Sequence, residues 1–469
     1  MTAVAILPTP AKWPRILLPA DGSATGAGHG RGAAKGDHGA AAGRDQQGAA
    51  LDPAAIGPAV ARGAFSGFRA AVEHMRPDTV VATVEKAGLR GRGTSPGIPT
   101  GAKWRACAAA PADRKYVVVN AWQSDPAVLT DRVLIERNPF AVIEGAAIAA
   151  YAVGASEIVF AVRADATDAI ATLNAAVKAA RGSGFLGQNV LGTGFDVEID
   201  VRPLQGAYML GEETVLLKGL QGERGQPEQQ PPYPTTRGLF GKPTVVHGPQ
   251  TFAAVAAIMA AGADGRTVGE TATVLVQVFG AVEKPGIVEI PLGTPIREIV
   301  AAAGGVPSHH HLKALLVGGP SGGILPPAAL DLAYDQAALE GAGAHIGSGS
   351  ITVIEQGACV VDLAAALTRF CADQACGKTI PCRIGLRRMA EIGARICAGE
   401  PRGDELTRLA DLSADIVDSA LCDHERRATL ALRSVVRYFR DDLDAHLLRN
   451  ECPAGICHPA ANAPAGAVS

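Results

Sequence analysis

The chain has 469 residues, enough for two to four domains, and its 43 basic and 46 acidic residues leave a formal net charge of −3. That balance excludes a global basic field for nucleic acid, and there is neither a polybasic run nor an apolar stretch of the roughly 18–20 residues that a bilayer span needs. Nine cysteines, most of them from Cys371 onward, point to metal or redox chemistry at the back end rather than to disulfides.

The opening "MTAVAILPTPAKWPRILLPADG" is broken by Pro8, Pro10 and Pro14 and lacks the basic start and unbroken apolar core of a signal peptide, so the expected location is cytoplasmic. Residues 21–50 are Gly/Ala-rich without periodicity, and the whole 1–57 segment is expected to be disordered. From 58 to 265, strand and helix signals alternate: "KYVVVNA" as a buried strand, "NPFAVIEGAAIAAYAVGA" as a helix ending on Gly154, "EIVFAV" as the next strand. Such alternation predicts an α/β layer with a mostly parallel sheet, whose ligands sit where strands end in Gly-rich loops. Residues 266–356 change to a strand, a turn at Lys284-Pro285-Gly286, a strand and a short helix, which is a β-grasp pattern. Residues 357–450 read as four helical segments joined by short breaks, a bundle, and 451–469 as a tail.

Three stretches carry candidate chemistry. The loop "AGLRGRGTSPGIPTGAKW" has the glycines and cations that let backbone N–H groups approach a phosphate, although Pro96 and Pro99 remove two donors. In "GAYMLGEETVLL", Glu212 and Glu213 stand before an apolar helical run, where they either stabilise a helix N-terminus or bind a ligand ring or ribose. In "ACGKTIPCRIG", Cys376 and Cys382 enter one helix and Cys422 starts another. An iron–sulfur cluster wants four thiolates from a rigid frame, and three are available. By spacing alone, helix-end cysteines without metal stand ahead of a cluster. Cys107, Cys359 and Cys397 are isolated and read as buried small hydrophobes. "SHHH" at 308–311 reads as a solvated loop.

Taken in order, "GLRGRG…PTGAKW", "DRVLIERNPFAVIEGAAIAAYA", "GAYMLGEETVLL", "PPYPTTRGLFGKPT", "VGGPSGG", "GSGSITV" and "ACGKTIPCR" resemble the NADH-binding flavoprotein subunit of respiratory complex I and its hydrogenase and formate-dehydrogenase equivalents. The resemblance implies a Rossmann-like FMN-binding α/β domain, a β-grasp (SLBB) domain and a C-terminal helical domain with a 4Fe-4S cluster. It implies electron transfer from NAD(P)H through FMN to the cluster, and a thioredoxin-like 2Fe-2S subunit as partner within a larger oxidoreductase. No nucleic acid and no direct membrane insertion are expected, with attachment to the inner face of the membrane only through the complex.

Carried over residue by residue, the cofactor positions are Gly91, Gly93, Gly97, Gly101, Lys103, Asn120, Tyr208, Gly211, Glu212 and Glu213, with Glu212 and Glu213 also as the catalytic pair. The metal ligands are Cys376, Cys382 and Cys422, with Thr379 where the family has its second cysteine. Cys371, the nearby spare thiol, reads as core. The chain departs from the family most at dinucleotide-facing positions: Ile98 replaces an aromatic, Trp122-Gln123-Ser124-Asp125 replaces an acidic run, and His247-Gly248 replaces an Asn pair. NAD(H) binding is therefore the cofactor expectation these departures weigh against. A degenerate relative kept as a structural or regulatory subunit is the alternative. "ECPAGIC" resembles the junction to an appended ferredoxin-like module, which makes Cys452 and Cys457 remnants rather than ligands.

Overall fold

The computed structural model describes residues 4–18, 52–92, 99–263 and 272–457. The first domain contains α1 (Ile56–Ala61), α2 (Ser66–His74), α3 (Pro77–Lys86), α4 (Thr100–Ala109), β1 (Tyr116–Ala121), α5 (Thr130–Arg137), α6 (Pro139–Val153), β2 (Glu157–Arg163), α7 (Thr167–Gly182), β3 (Gly187–Val190), β4 (Phe195–Leu204), α8 (Glu213–Leu220), β5 (Thr244–His247) and α9 (Pro249–Ala263). Its sheet runs β3-β4-β2-β1-β5, parallel except for β3. β2 lies at the centre and β1 stands between it and the edge strand β5, with Val117, Val118 and Val119 buried so that both faces of β1 are covered. The chain moves outward from β1 to β2 and β4, then returns to place β5 on the other side of β1. The reversal makes a switch point at the C-terminal ends of β1 and β5, where α/β sheets open a ligand crevice.

The second domain holds β6 (Thr273–Gly280), β7 (Gly286–Pro291), α10 (Ile296–Ala302), β8 (Leu312–Val317), β9 (Gly323–Leu325), α11 (Gln336–Gly341) and β10 (Ser350–Glu355). The sheet order is β7-β6-β10-β8-β9, with β6 and β10 parallel and the hairpins antiparallel, a β-grasp arrangement. The third is helical: α12 (Val360–Gln374), α13 (Leu386–Ala398), α14 (Glu405–Asp418), α15 (Asp423–Arg427), α16 (Leu430–Tyr438) and α17 (Arg440–Leu448). The four expected segments become six helices because the last of them breaks between α15 and α16 and again at Phe439, which leaves helical geometry (φ −125°, ψ 46°).

Order begins earlier than Pro58, which corrects the expectation of a disordered 1–57 segment for residues 4–18. Ile6 bridges Ile287 on β7, with Leu7 N–H donating to Ile287 O at 2.8 Å and Ile287 N–H to Ala5 O at 2.9 Å. The buried carboxylate of Glu289 accepts the N–H groups of Ile16, Leu17 and Leu18 at 2.7–3.0 Å. Leu7, Trp13 and Leu17 are buried. The prolines suit this segment, since a strand at a sheet edge does not need every N–H for the ladder.

Candidate functional site

The switch point gathers the retained residues. Lys103 on α4 donates to Glu213 Oε2 at 2.7 Å and to the carbonyl of Val246 on β5 at 3.1 Å. Asn120, at the end of β1, donates from Nδ2 to Gly211 O at 2.8 Å. The glycine at 211 leaves room for the Ser124 hydroxyl, since a Cβ there would lie 1.8 Å from Ser124 Oγ. Glu212 is the N-cap of α8, accepting from the N–H groups of Thr214 and Val215 at 3.0 and 2.9 Å and from the Thr214 hydroxyl at 2.6 Å. Burial pushes its carboxyl above the usual range, opposed by those hydrogen bonds. Lys103, Asn120, Gly211, Glu212 and Glu213 thus line one crevice. Gly91 precedes Arg92, whose backbone N–H donates to the Thr251 hydroxyl at 3.3 Å and whose Nε donates to the Thr273 carbonyl at 3.1 Å; Gly93 and Gly97 fall outside the described residues.

Two positions assigned to the cofactor have other work. A Cβ on Gly101 would lie 2.3 Å from the Glu85 side chain and 2.7 Å from its backbone N, so this glycine lets α4 pack against α3. Tyr208 sits where all three domains meet. Its hydroxyl is 3.4 Å from Ser321 Oγ, and its ring packs edge-on to Phe370 and tilted against His424.

The departures from the family pattern are absorbed into scaffold. Trp122 is buried beneath the Arg163 guanidinium. Gln123 accepts the Asp131 N–H at 2.8 Å. Asp125 accepts the Ser348 hydroxyl of the β-grasp domain at 2.7 Å. His247 accepts the Trp104 indole N–H at 3.2 Å, and burial, reinforced by the Lys103 charge, keeps it neutral.

Across α8 lie the cysteines. Cys422 and Cys376 pack in one apolar cluster with Trp122, Met209, Leu210 and Leu216. Cys382 is buried, and its thiol is pushed up by burial first, then by Glu425, Cys422 and Cys376, so these groups share one neighbourhood. Burial raises Cys422 to about 12, with Glu425 and Glu212 adding to the effect through their charge. A bound cation would supply the positive charge that these thiols need in order to deprotonate as ligands. The fourth corner is oxygen: Thr379 Oγ1 donates to Glu425 Oε1 at 2.8 Å, and Glu425 Oε2 accepts the Leu421 N–H at 2.8 Å. Three thiolates therefore fit an iron–sulfur cluster and the fourth position does not offer sulfur. Cys371 does not fill it; it is buried and donates to Pro320 O at 3.5 Å in the helical core.

Sequence reasoning missed Glu425, whose link to Thr379 crosses 46 residues. It also set aside Cys359, Cys452 and Cys457 as a buried hydrophobe and two remnants. Cys359 is buried as expected, but it does not stand alone: the ligand atoms of these three and of His446 lie within 4.8 Å of one another. The spacing of His446, Cys452 and Cys457 was the local signal available. "SHHH" joins nothing of the site: His310 pairs with Glu355.

Comparisons with known proteins agree with this geometry. Residues 84–257 match the Nuo51 FMN-binding domain, 275–325 the SLBB domain, and 362–446 the NADH-ubiquinone oxidoreductase-F iron-sulfur binding region. The chain is 38% identical over 412 residues to HndC, a subunit of the NADP-reducing hydrogenase of Solidesulfovibrio fructosivorans, covering 87% of this chain and 84% of that one. It is 35% identical over 398 residues to the second F-type NADH-quinone oxidoreductase subunit of Rhizobium meliloti, covering 84% and 94%. Among solved structures, a chain of an NAD+-reducing [NiFe]-hydrogenase in the H2-reduced state superposes with a TM-score of 0.73 at 30% identity, covering 83% of this chain and 66% of that one. The chain belongs to the family of F-type NADH-quinone oxidoreductase subunits, as an electron-transfer subunit built from an FMN-binding domain, an SLBB domain and an iron–sulfur-binding helical domain.

Proposed function

We propose that this subunit takes reducing equivalents from a nicotinamide cofactor at the switch-point crevice and passes them toward the cysteines of the helical domain. The observation that carries the reading is continuity: Glu212 caps α8 at the crevice, and Leu216 and Leu217 of the same helix pack in one cluster with Cys422. When bound, FMN accepts hydride and releases electrons singly to an iron–sulfur cluster. The chain's part is to position. Lys103, held by Glu213 and the end of β5, would meet anionic parts of the flavin, with Asn120 and Gly211 beside it; Gly91, Gly93 and Gly97 are the residue types that would allow close backbone approach. Cys376, Cys382 and Cys422 hold the cluster, with Thr379 and Glu425 at its fourth corner. No helix among the described residues is long and apolar enough to cross a membrane. The relatives, named as oxidoreductase and hydrogenase subunits, support placing the chain in a larger complex; the thioredoxin-like 2Fe-2S partner, the cytoplasmic location and docking at the membrane only through other subunits are what the family resemblance adds to this reading.

A second reading is favoured by the scaffold roles of Trp122, Gln123, Asp125 and His247: a relative that keeps the shape and has lost NADH chemistry. Purification from the native host with a visible spectrum decides. Flavin absorption that bleaches on adding NADH is expected, with iron and sulfide present. A colourless, iron-free protein would overturn electron transfer, and flavin untouched by NADH or NADPH would leave only the second reading.

A further inference from the structure

We propose that Cys359, His446, Cys452 and Cys457 form a closed zinc site, separate from the iron–sulfur cysteines, that clamps the segment after α17 to the start of α12. The four ligands come from three places in the chain. Cys359 is the N-cap of α12, His446 lies in the last turn of α17, and Cys452 and Cys457 flank a turn in which Gly455 N–H donates to Cys452 O at 2.9 Å. Their ligand atoms converge within 4.8 Å of one another.

The distances suit one tetrahedral ion. Ligand bonds of about 2.3 Å to sulfur and 2.0–2.1 Å to nitrogen put two sulfurs about 3.8 Å apart and sulfur and nitrogen about 3.6 Å apart. Here Cys457 Sγ and Cys359 Sγ are 3.7 Å apart, and Cys359 Sγ and His446 Nε2 are 3.5 Å apart. The first separation is far beyond a disulfide bond of about 2.05 Å. A set this tight has room for one ion at its centre, not for a four-iron cube.

The surroundings prepare the donors. His446 Nδ1 is 2.7 Å from the Asp442 carbonyl, which can only accept. A proton therefore sits on Nδ1, and Nε2, which faces the Cys359 sulfur, is the nitrogen a metal would take, displacing any proton there, in the usual outer-shell arrangement of a metal-bound histidine. Cys359 Sγ accepts the Asp362 N–H at 3.4 Å at a helix N-terminus, and the N–H groups of Cys457, Ile456 and Ala454 stabilise charge on the Cys452 sulfur. Cys359, His446 and Cys457 are buried and Cys452 is partly exposed, which leaves a way in. Three thiolates and an imidazole select a soft or borderline ion over magnesium or calcium, and four protein ligands leave no open position for chemistry. Cys397 and Asp362 also lie near Cys457, outside the four-ligand set. Asp442 anchors the site to the β-grasp domain through Lys313, which donates to both its carboxylate oxygens at 2.8 Å.

The test is metal analysis of the full-length chain. About one zinc per chain is expected. It should persist in a Cys376→Ser variant and fall toward zero in a Cys452→Ser/Cys457→Ser double variant. Because that double variant can fail to fold, the metal-stripped wild type is also titrated with Co2+. Intense thiolate-to-cobalt and tetrahedral d–d bands saturating at about one ion per chain, and displaced by zinc, are expected. Absence of those bands, a Cys359–Cys457 disulfide in the purified protein, or zinc that persists in the double variant would each overturn the site.

Discussion

At the scale of single residues, the informative position is Thr379. It stands where the family pattern has its fourth thiolate, and its hydroxyl donates to the carboxylate of Glu425 at 2.8 Å. Glu425 is 1% exposed and engaged on both oxygens, by Thr379 and by the Leu421 N–H. The wild-type corner is therefore a hydrogen-bonded pair that must open before either oxygen meets iron. Thr379→Cys replaces a hard hydroxyl with a thiolate and frees Glu425 Oε1. After anaerobic reconstitution with iron and sulfide, the variant should hold on the order of one more iron per chain than wild type, because four-iron clusters take four thiolates. Iron analysis and the EPR signal of the reduced protein report the change, and equal iron in both proteins would mean that this corner never faces the cluster. Without metal, the lost bond to buried Glu425 should cost about 1–3 kcal/mol, read from urea unfolding of the apoproteins.

Among the elements, α6 holds the first domain together. It is apolar on nearly every face because α2, α9 and the sheet surround it, and nearly all its residues are buried. Gly145 sits where α6 crosses α9, and a Cβ there would lie 1.8 Å from the backbone oxygen of Phe252. A backbone atom cannot rotate away, so Gly145→Ala should destabilise the domain by about 3 kcal/mol, the upper part of the overpacking range. A urea midpoint unchanged from wild type would show that α9 yields instead. This helix was legible in sequence, since "NPFAVIEGAAIAAYAVG" carries its own start and its glycine stop. So were the strand alternation and Glu212 as a helix cap. What was hidden depends on partners far along the chain. The edge segment at residues 4–18 reads locally as a proline-broken loop, and only Glu289, some 270 positions away, reveals its place. Cys359 looks isolated for the same reason, since its neighbours stand 87 and 98 positions on. The packing roles of Tyr208 and Gly101 were not legible either, because a motif records which residues are kept, not which neighbours they touch.

For the whole molecule, the question is whether three domains act as one body. The loop after β1 runs to the β-grasp domain, and it is held there by side-chain hydrogen bonds as well as by the packing of Leu129 on a core that includes Leu275 of β6. Gln277 on β6, 7% exposed, accepts the Leu129 N–H and donates to the Ala127 carbonyl, both at 2.9 Å. Asp125 in the same loop accepts the Ser348 hydroxyl at 2.7 Å. On the other side of the β-grasp domain, Ser434 on α16 accepts the Ile324 N–H of β9 at 2.9 Å, and Lys313 pairs with Asp442. Gln277→Ala leaves two backbone groups of the loop without their partner, at about 1–3 kcal/mol each where water cannot reach them. The second contact, through Asp125, stays intact, so the loop is loosened rather than released, and the expected loss is about 2–4 kcal/mol in total. Wild type should unfold in a single calorimetric transition, because each domain leans on polar contacts from the next. In the variant the FMN-binding domain should melt first, splitting the transition in two, while the helical domain keeps its contacts to β8 and β9. One unshifted transition in the variant would place the coupling elsewhere, with Arg92 donating to the Thr273 carbonyl at 3.1 Å as the next contact to remove.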